Sequence, residues 1–233
     1  MNSVLEVDDY VGISFWFATA VMLASTIFFI LERQDVKKEW KTSLTIASII
    51  TGIAFWHYLY MREVWILTKE TPIVLRYVDW IITVPLQIIE FYLILSAVTI
   101  VRSSLFWKFL ISSTLMLVFG YLGETKTINE TFAFSVGLVS WLYIVYDIFV
   151  GESSKINKNS GNPSSQFAFH AMKWIVSVGW SIYPLGYVFG YLIPSVDINS
   201  LNIIYNIADL VNKTAFGLAI WYAASSASLN DKD

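Results

Sequence analysis

The sequence predicts an all-α membrane protein: a seven-transmembrane-helix bundle with its N-terminus outside and its C-terminus cytoplasmic. Three observations carry this. The 233 residues are 56% hydrophobic, 17% aromatic and only 14% charged, too apolar for a soluble domain of this length. Apolar stretches near the 20 residues that cross a bilayer recur along the chain, separated by short charged segments. Lysine and arginine crowd into alternate linkers, the asymmetry that sets orientation.

The spans follow in order. Tyr10–Ile30 has no charge and Thr42–Tyr60 has only His57. Pro72–Val101 holds Arg76, Asp79 and Glu90. Phe109–Leu122 is short but extends if Lys108 snorkels. Thr131–Val150 carries Asp147 near its end, Trp174–Val196 is uncharged, and Asn199–Leu229 contains Asp209 and Lys213. Between them, Glu32–Lys41 reads as a charged turn, Gly151–Ser165 as a Gly/Ser/Asn-rich loop and Ser195–Ser200 as a short turn. No linker can hold a second domain, so one bundle is expected to account for residues 1–233. The first, third and fifth linkers carry Arg33, Lys37, Lys38, Lys41, Arg102, Lys108, Lys155 and Lys158, and Lys232 lies in the tail; the opposite side has Arg62, Lys69 and Lys126.

Other classes fall away. The chain has no cysteine, which excludes disulfides, thiolate metal sites and thiol nucleophiles; no metal site is expected. A net charge of −3 with no basic stripe does not suit nucleic acid. Met1–Asp9 is polar and acidic and does not read as a signal peptide.

The intramembrane charges carry the chemistry. A charge inside a bilayer costs several kcal/mol or more, so Lys213 with Asp209 one turn before it points to function. Asp79, Thr83 and Glu90 lie four and eleven residues apart and share one helix face. At 1.5 Å per residue, Glu90 stands about 16 Å nearer one membrane surface than Asp79, the cytoplasmic one if the amino terminus is outside. Asp79 and Asp209 can stay ionised only if Arg76 and a cation on Lys213 neutralise them. Glu90 has nothing basic nearby in its own helix and is expected to hold its proton. Acceptors outside and a donor inside suit an outward proton path; a static buried ion-pair network is the alternative. Thr83 alone is compatible with bonding back to its own helix. His57 is either a structural hydrogen-bonding group or a partner of Asp79. Trp80, Trp141, Trp180 and Tyr183 are either core filling or, with Pro184, a pocket for a long, flat, apolar ligand. Pro85 and Pro184 are expected to loosen their helices.

Four stretches resemble a known family. Arg76-Tyr-Val-Asp79-Trp80-Ile-Ile-Thr83-Val-Pro85-Leu-Gln87-Ile-Ile-Glu90 resembles the third-helix signature of microbial (type 1) rhodopsins, most of all the proteorhodopsins. Gly179-Trp180-Ser-Ile-Tyr183-Pro184-Leu-Gly186-Tyr is similar to their sixth-helix pocket, Ala208-Asp209-Leu-Val-Asn-Lys213 to their seventh-helix attachment site, and Phe55-Trp56-His57-Tyr58 to their second-helix histidine motif. The resemblance implies all-trans retinal bound to Lys213 as a protonated Schiff base, with Asp79 as proton acceptor, Asp209 as counterion and Glu90 as proton donor. It also implies that Arg76 controls the exit path, that Thr83 hydrogen-bonds near Asp79, and that His57 pairs with Asp79 and meets Trp16 of a neighbouring protomer in a pentamer or hexamer. Gln87 resembles the blue-absorbing subgroup, and Phe134 stands where antenna-binding relatives have glycine, so no carotenoid antenna is expected. Glu124 reads as a solvated loop charge or a release-side carboxylate. The expectation is a light-driven outward proton pump, multi-pass in the bacterial inner membrane. A slow-cycling sensory photoreceptor is the alternative, disfavoured by Glu90; a retinal-free transporter leaves Lys213 unexplained.

Overall fold

The computed structural model describes residues 5–193 and 195–229; the first four residues and Lys232 lie outside them. Helices α1 (Tyr10–Glu32), α2 (Lys41–Thr68), α3 (Ile73–Ser96), α4 (Ser103–Glu124) and α5 (Glu130–Val150) make the first five crossings. The short α6 (Glu152–Asn159) follows. The sixth crossing is composite: α7 (Pro163–Ser177), a 3₁₀ turn at Gly179–Ser181, α8 (Ile182–Tyr187) and a π segment at Val188–Leu192. The last crossing is α9 (Ile198–Leu229). Successive helices pack side by side and α1 meets α9, which closes the seven-helix bundle. Six crossings are long and apolar enough to span a bilayer by length and composition. The seventh, α9, turns Asn202, Asn206, Asp209, Asn212 and Lys213 into the interior.

Local chemistry sets the ends. Asp9 caps α1 by accepting from Gly12 N–H at 2.8 Å, and Asn129 caps α5. Several expected boundaries need correction. The second span runs on to Thr68, because Arg62 does not end it: its guanidinium lies 3.8 Å from the Trp16 ring centroid. The fourth begins six residues early, at Ser103, and Lys108 pairs with Glu152 at 2.9 Å. The third stops at Ser96.

The expected loop Gly151–Ser165 is largely helical. Asp147 accepts from the backbone N–H of Ser153 at 3.0 Å and of Glu152 at 3.3 Å, so it caps the first turn of α6. The sixth crossing starts at Pro163, eleven residues earlier than expected, with Asn162 capping Ser165 N–H and proline in the first turn. It then breaks beside Pro184, which has no N–H to give the preceding turn, and the backbone leaves regular α geometry on both sides of α8.

Candidate functional site

The centre of the bundle holds a lysine between two carboxylates. Lys213, 2% exposed, donates from Nζ to Asp209 Oδ2 at 2.8 Å and to Asp79 Oδ2 by a second short contact. The first contact follows from i, i+4 spacing on α9; the second comes from α3. Asp209 also accepts from Trp80 Nε1 at 3.2 Å and lies 3.5 Å from the Tyr183 hydroxyl. Asp79 Oδ1 has no hydrogen-bond partner.

Of the surrounding residues, Arg76 departs from expectation, while Thr83 and His57 take the helix-bonding readings that the sequence left open. Arg76 does not neutralise the aspartates directly. Its Nη2 donates to Asn206 Oδ1 at 2.9 Å and to Asn202 Oδ1 at 3.2 Å, because these two amides stand one turn apart on the facing stretch of α9. Their own amino groups bond Ser14 and Thr71, which ties α1 and the turn before α3 to the same cradle. Thr83 Oγ1 bonds back to the Asp79 carbonyl at 3.0 Å rather than to its carboxylate. His57 Nδ1 stands 3.8 Å from Asp79 Oδ1 but 2.9 Å from the carbonyl of Ile53 in its own helix, so the hydrogen bond goes to the helix.

Glu90 is fully buried on α3, and neither carboxyl oxygen has a hydrogen-bond partner.

A cavity opens beside the lysine. Asp209 and Asn212 wall it on α9, Trp80, Val84 and Gln87 on α3, Met116, Leu117 and Gly120 on α4, Gly137, Leu138 and Trp141 on α5, and Trp180, Tyr183 and Pro184 on the sixth crossing. These mostly flat, apolar surfaces suit a long planar ligand tethered at the amine. Gln87 is 1% exposed with Nε2 unpartnered. Trp141 Nε1 bonds the Val176 carbonyl at 3.0 Å, one of the carbonyls left open where α7 ends.

Sequence reading overlooked Asn202, Asn206 and Asn212. Asn212 bonds the Gly179 carbonyl at 3.2 Å and lies 3.4 Å from the Tyr183 hydroxyl. This approach needs glycine: a Cβ at Gly179 would stand 2.2 Å from Asn212 Oδ1.

The family model for bacteriorhodopsin-like protein matches residues 9–227. The chain belongs to that family. It is 52% identical to the blue-light absorbing proteorhodopsin of Gamma-proteobacterium Hot 75m4, over 97% of this chain and 90% of that protein. It is 51% identical to the green-light absorbing proteorhodopsin of Gamma-proteobacterium EBAC31A08, over 97% of this chain and 91% of that protein. The crystal structure of the blue light-absorbing proteorhodopsin from Med12 superposes with a TM-score of 0.82 at 55% identity, covering 94% of this chain and 99% of that one. This bacteriorhodopsin-like chain is accordingly a multi-pass membrane protein.

Proposed function

We propose that the chain is a light-driven outward proton pump whose chromophore is all-trans retinal carried on Lys213 as a protonated Schiff base. The observation that carries the reading is Lys213 Nζ held between Asp79 and Asp209, with Asp209 itself on the wall of a mostly apolar cavity. The lysine ammonium stands in for the protonated imine nitrogen. When bound, retinal supplies absorption of visible light and an isomerisation that turns the nitrogen away from its partners.

The chain's own groups supply the rest. Asp79 Oδ2, bonded to Nζ, takes the proton from that nitrogen, and Asp209 is held as a fixed anion by Trp80. Arg76, pinned by two asparagines, adds a cation beyond the aspartates on the exit side. Glu90, three turns along α3 and unpaired, stores the proton that returns to Nζ. His57 is close enough to Asp79 to modulate its release, and Thr83 steadies the turn that aims Asp79.

The energy is sufficient: moving one charge against 100 mV costs about 2.3 kcal/mol, and each opposing pH unit adds about 1.4 kcal/mol. A visible photon exceeds both.

Blue absorption rests on Gln87. Overall similarity does not separate the colours, since the identities to blue and green relatives are 52% and 51%. The amide of Gln87 lines the cavity, where a dipole shifts ground and excited states differently. Phe134, stacked on Tyr187 with centroids 5.2 Å apart, puts a ring where antenna-binding relatives have glycine, which supports a reading without a carotenoid antenna. The lysine and arginine bias supports an amino terminus outside, and the similarity to proteobacterial relatives supports the bacterial inner membrane. Trp16, 45% exposed on α1, suits contact with His57 of a neighbour in a pentamer or hexamer.

The test is pH in an unbuffered suspension of cells expressing the chain with added retinal, under blue light. Acidification that a protonophore abolishes supports the pump. Bound, coloured retinal without a pH change overturns it and favours the sensory photoreceptor.

A further inference from the structure

The outer surface of the bundle, between α5 and the sixth crossing, holds a cation that the helices leave unmatched. Lys173 lies ten residues into α7, about 15 Å from its start, and its Nζ stands 4.6 Å from the centroid of the Phe149 ring. Phe149 is in the last turn of α5, just before Gly151 and α6. The same ring meets Trp174 edge-on at 5.5 Å. From Trp174 the sequence is uncharged as far as Val196. Lys173 therefore marks the level at which the sixth crossing passes from water into hydrocarbon, and Trp174 is an exposed indole at that same boundary.

The chain itself does not satisfy the outward side of this pair. Among the described residues, the Lys173 ammonium has no ion pair or hydrogen bond, its one contact being the ring, and the Trp174 indole N–H has no acceptor. The carboxylates at this end of α5 are already engaged. Asp147 accepts from the N–H groups of Glu152 and Ser153, and Glu152 pairs with Lys108 at 2.9 Å. Toward the membrane centre the two crossings present exposed apolar side chains, Leu142 and Tyr146 from α5 and Trp174 and Val178 from the sixth. Their i, i+4 spacing sets them in rows that run inward from the ammonium.

We propose that Lys173 and Trp174 bind the phosphate of an anionic phospholipid, whose acyl chains lie along this strip. Phosphate is the anion found where a bilayer meets water. The ammonium gives it a charge-assisted hydrogen bond, and the indole N–H donates to a phosphate or ester oxygen. The Phe149 ring keeps water from one side of the ammonium, which strengthens its attraction for an anion on the other. The apolar strip selects a lipid over a free phosphate ion, because only a lipid has chains to cover it. On the proposed orientation the leaflet is the cytoplasmic one. The site does not depend on retinal.

The experiment is native mass spectrometry of the full chain released from detergent micelles that contain phosphatidylglycerol and phosphatidylcholine in equal amounts. Bound phosphatidylglycerol is expected to exceed bound phosphatidylcholine. Lys173→Gln should lower that ratio about fivefold, the scale of one basic residue at an anionic surface. Lys173→Arg should keep it, which separates loss of charge from a fold defect. Lys155→Gln, on the exposed face of α6, should leave it unchanged. Equal binding of the two lipids by the unsubstituted protein overturns the inference. An equal fall in Lys155→Gln also overturns it, by assigning the preference to the surface potential as a whole. Displacement of phosphatidylglycerol by inorganic phosphate at equal concentration would mean a free-anion site. A lipid-free dimer that Trp174→Ala dissociates would mean that a second copy covers the strip, and either result overturns the lipid assignment.

Discussion

Arg76 gives its guanidinium to Asn206, at 2.9 Å, and leaves both aspartates to Lys213. A neutral amide therefore holds the cation in place. Asn206→Leu removes an acceptor from a buried charged donor, which costs about 1–3 kcal/mol. Chemical denaturation in detergent should show that loss, and a double-mutant cycle with Arg76→Gln should show coupling of about 0.5–3 kcal/mol. Strictly additive losses would mean the contact contributes nothing.

On the proposed reading, variants of Lys213 and Asp79 separate chromophore binding from transport. Lys213→Ala should give no visible band with added retinal. Asp79→Asn should keep a shifted band and lose light-driven acidification. Pumping that survives Asp79→Asn would remove this residue from the acceptor role.

Glu90 has no partner to replace it as a proton store. Glu90→Gln should slow recovery after a flash by about 10²-fold or more, the usual scale for loss of a positioned acid. Flash photolysis checks this, and unchanged recovery would argue for uptake directly from solvent.

Acid should loosen the N-terminal end of α1. Burial pushes the Asp9 carboxyl up, but the Lys69 ammonium at 2.6 Å, the Gly12 N–H and the Trp65 indole outweigh it and hold it below the usual range. A depressed folded value contributes stability that is present above the unfolded value near 3.9 and is lost as pH falls through the lower, folded one. Melting temperature should drop below about pH 4 in the native chain and stay flatter with pH in Asp9→Asn. Equal pH dependence in the two would discount this cap.

Gly179→Ala drives a methyl into Asn212. Overpacking of this kind costs about 1–3 kcal/mol, and Gly179→Ala/Asn212→Ala should recover part of it. Thermal melts of the single and double variants decide the matter.

The third helix was legible because a charge in a bilayer has a high cost, so Asp79, Thr83 and Glu90 on one face announced themselves. The asparagines of α9 carry no such signal: an amide is cheaper to bury, and only the arrival of Arg76 from α3 gives Asn202 and Asn206 their place. Helix α6 is polar except for Ile156, which packs against the core, and its first turn is held by Asp147 across a bend, a contact that periodicity does not encode. The early start of α7 was readable from Asn162-Pro163, a cap followed by a proline suited to the first turn. Glu124, which lines the cavity from the end of α4, hid at a helix end, where a carboxylate in water and one in a cavity look alike.

The eleven residues between Asp79 and Glu90 also set a clock. On α9 the matching stretch offers Phe216 and Ile220, both buried in the core, so no side chain bridges the two carboxylates. A proton cannot hop about 16 Å in one step; it needs a file of water molecules, and on this stretch Thr83 is already bonded to its own helix while Phe216 and Ile220 close the facing side. If Glu90 is the proton store, resetting waits on transient wetting of an oily plug, and the same dryness would stop protons leaking backwards in the dark.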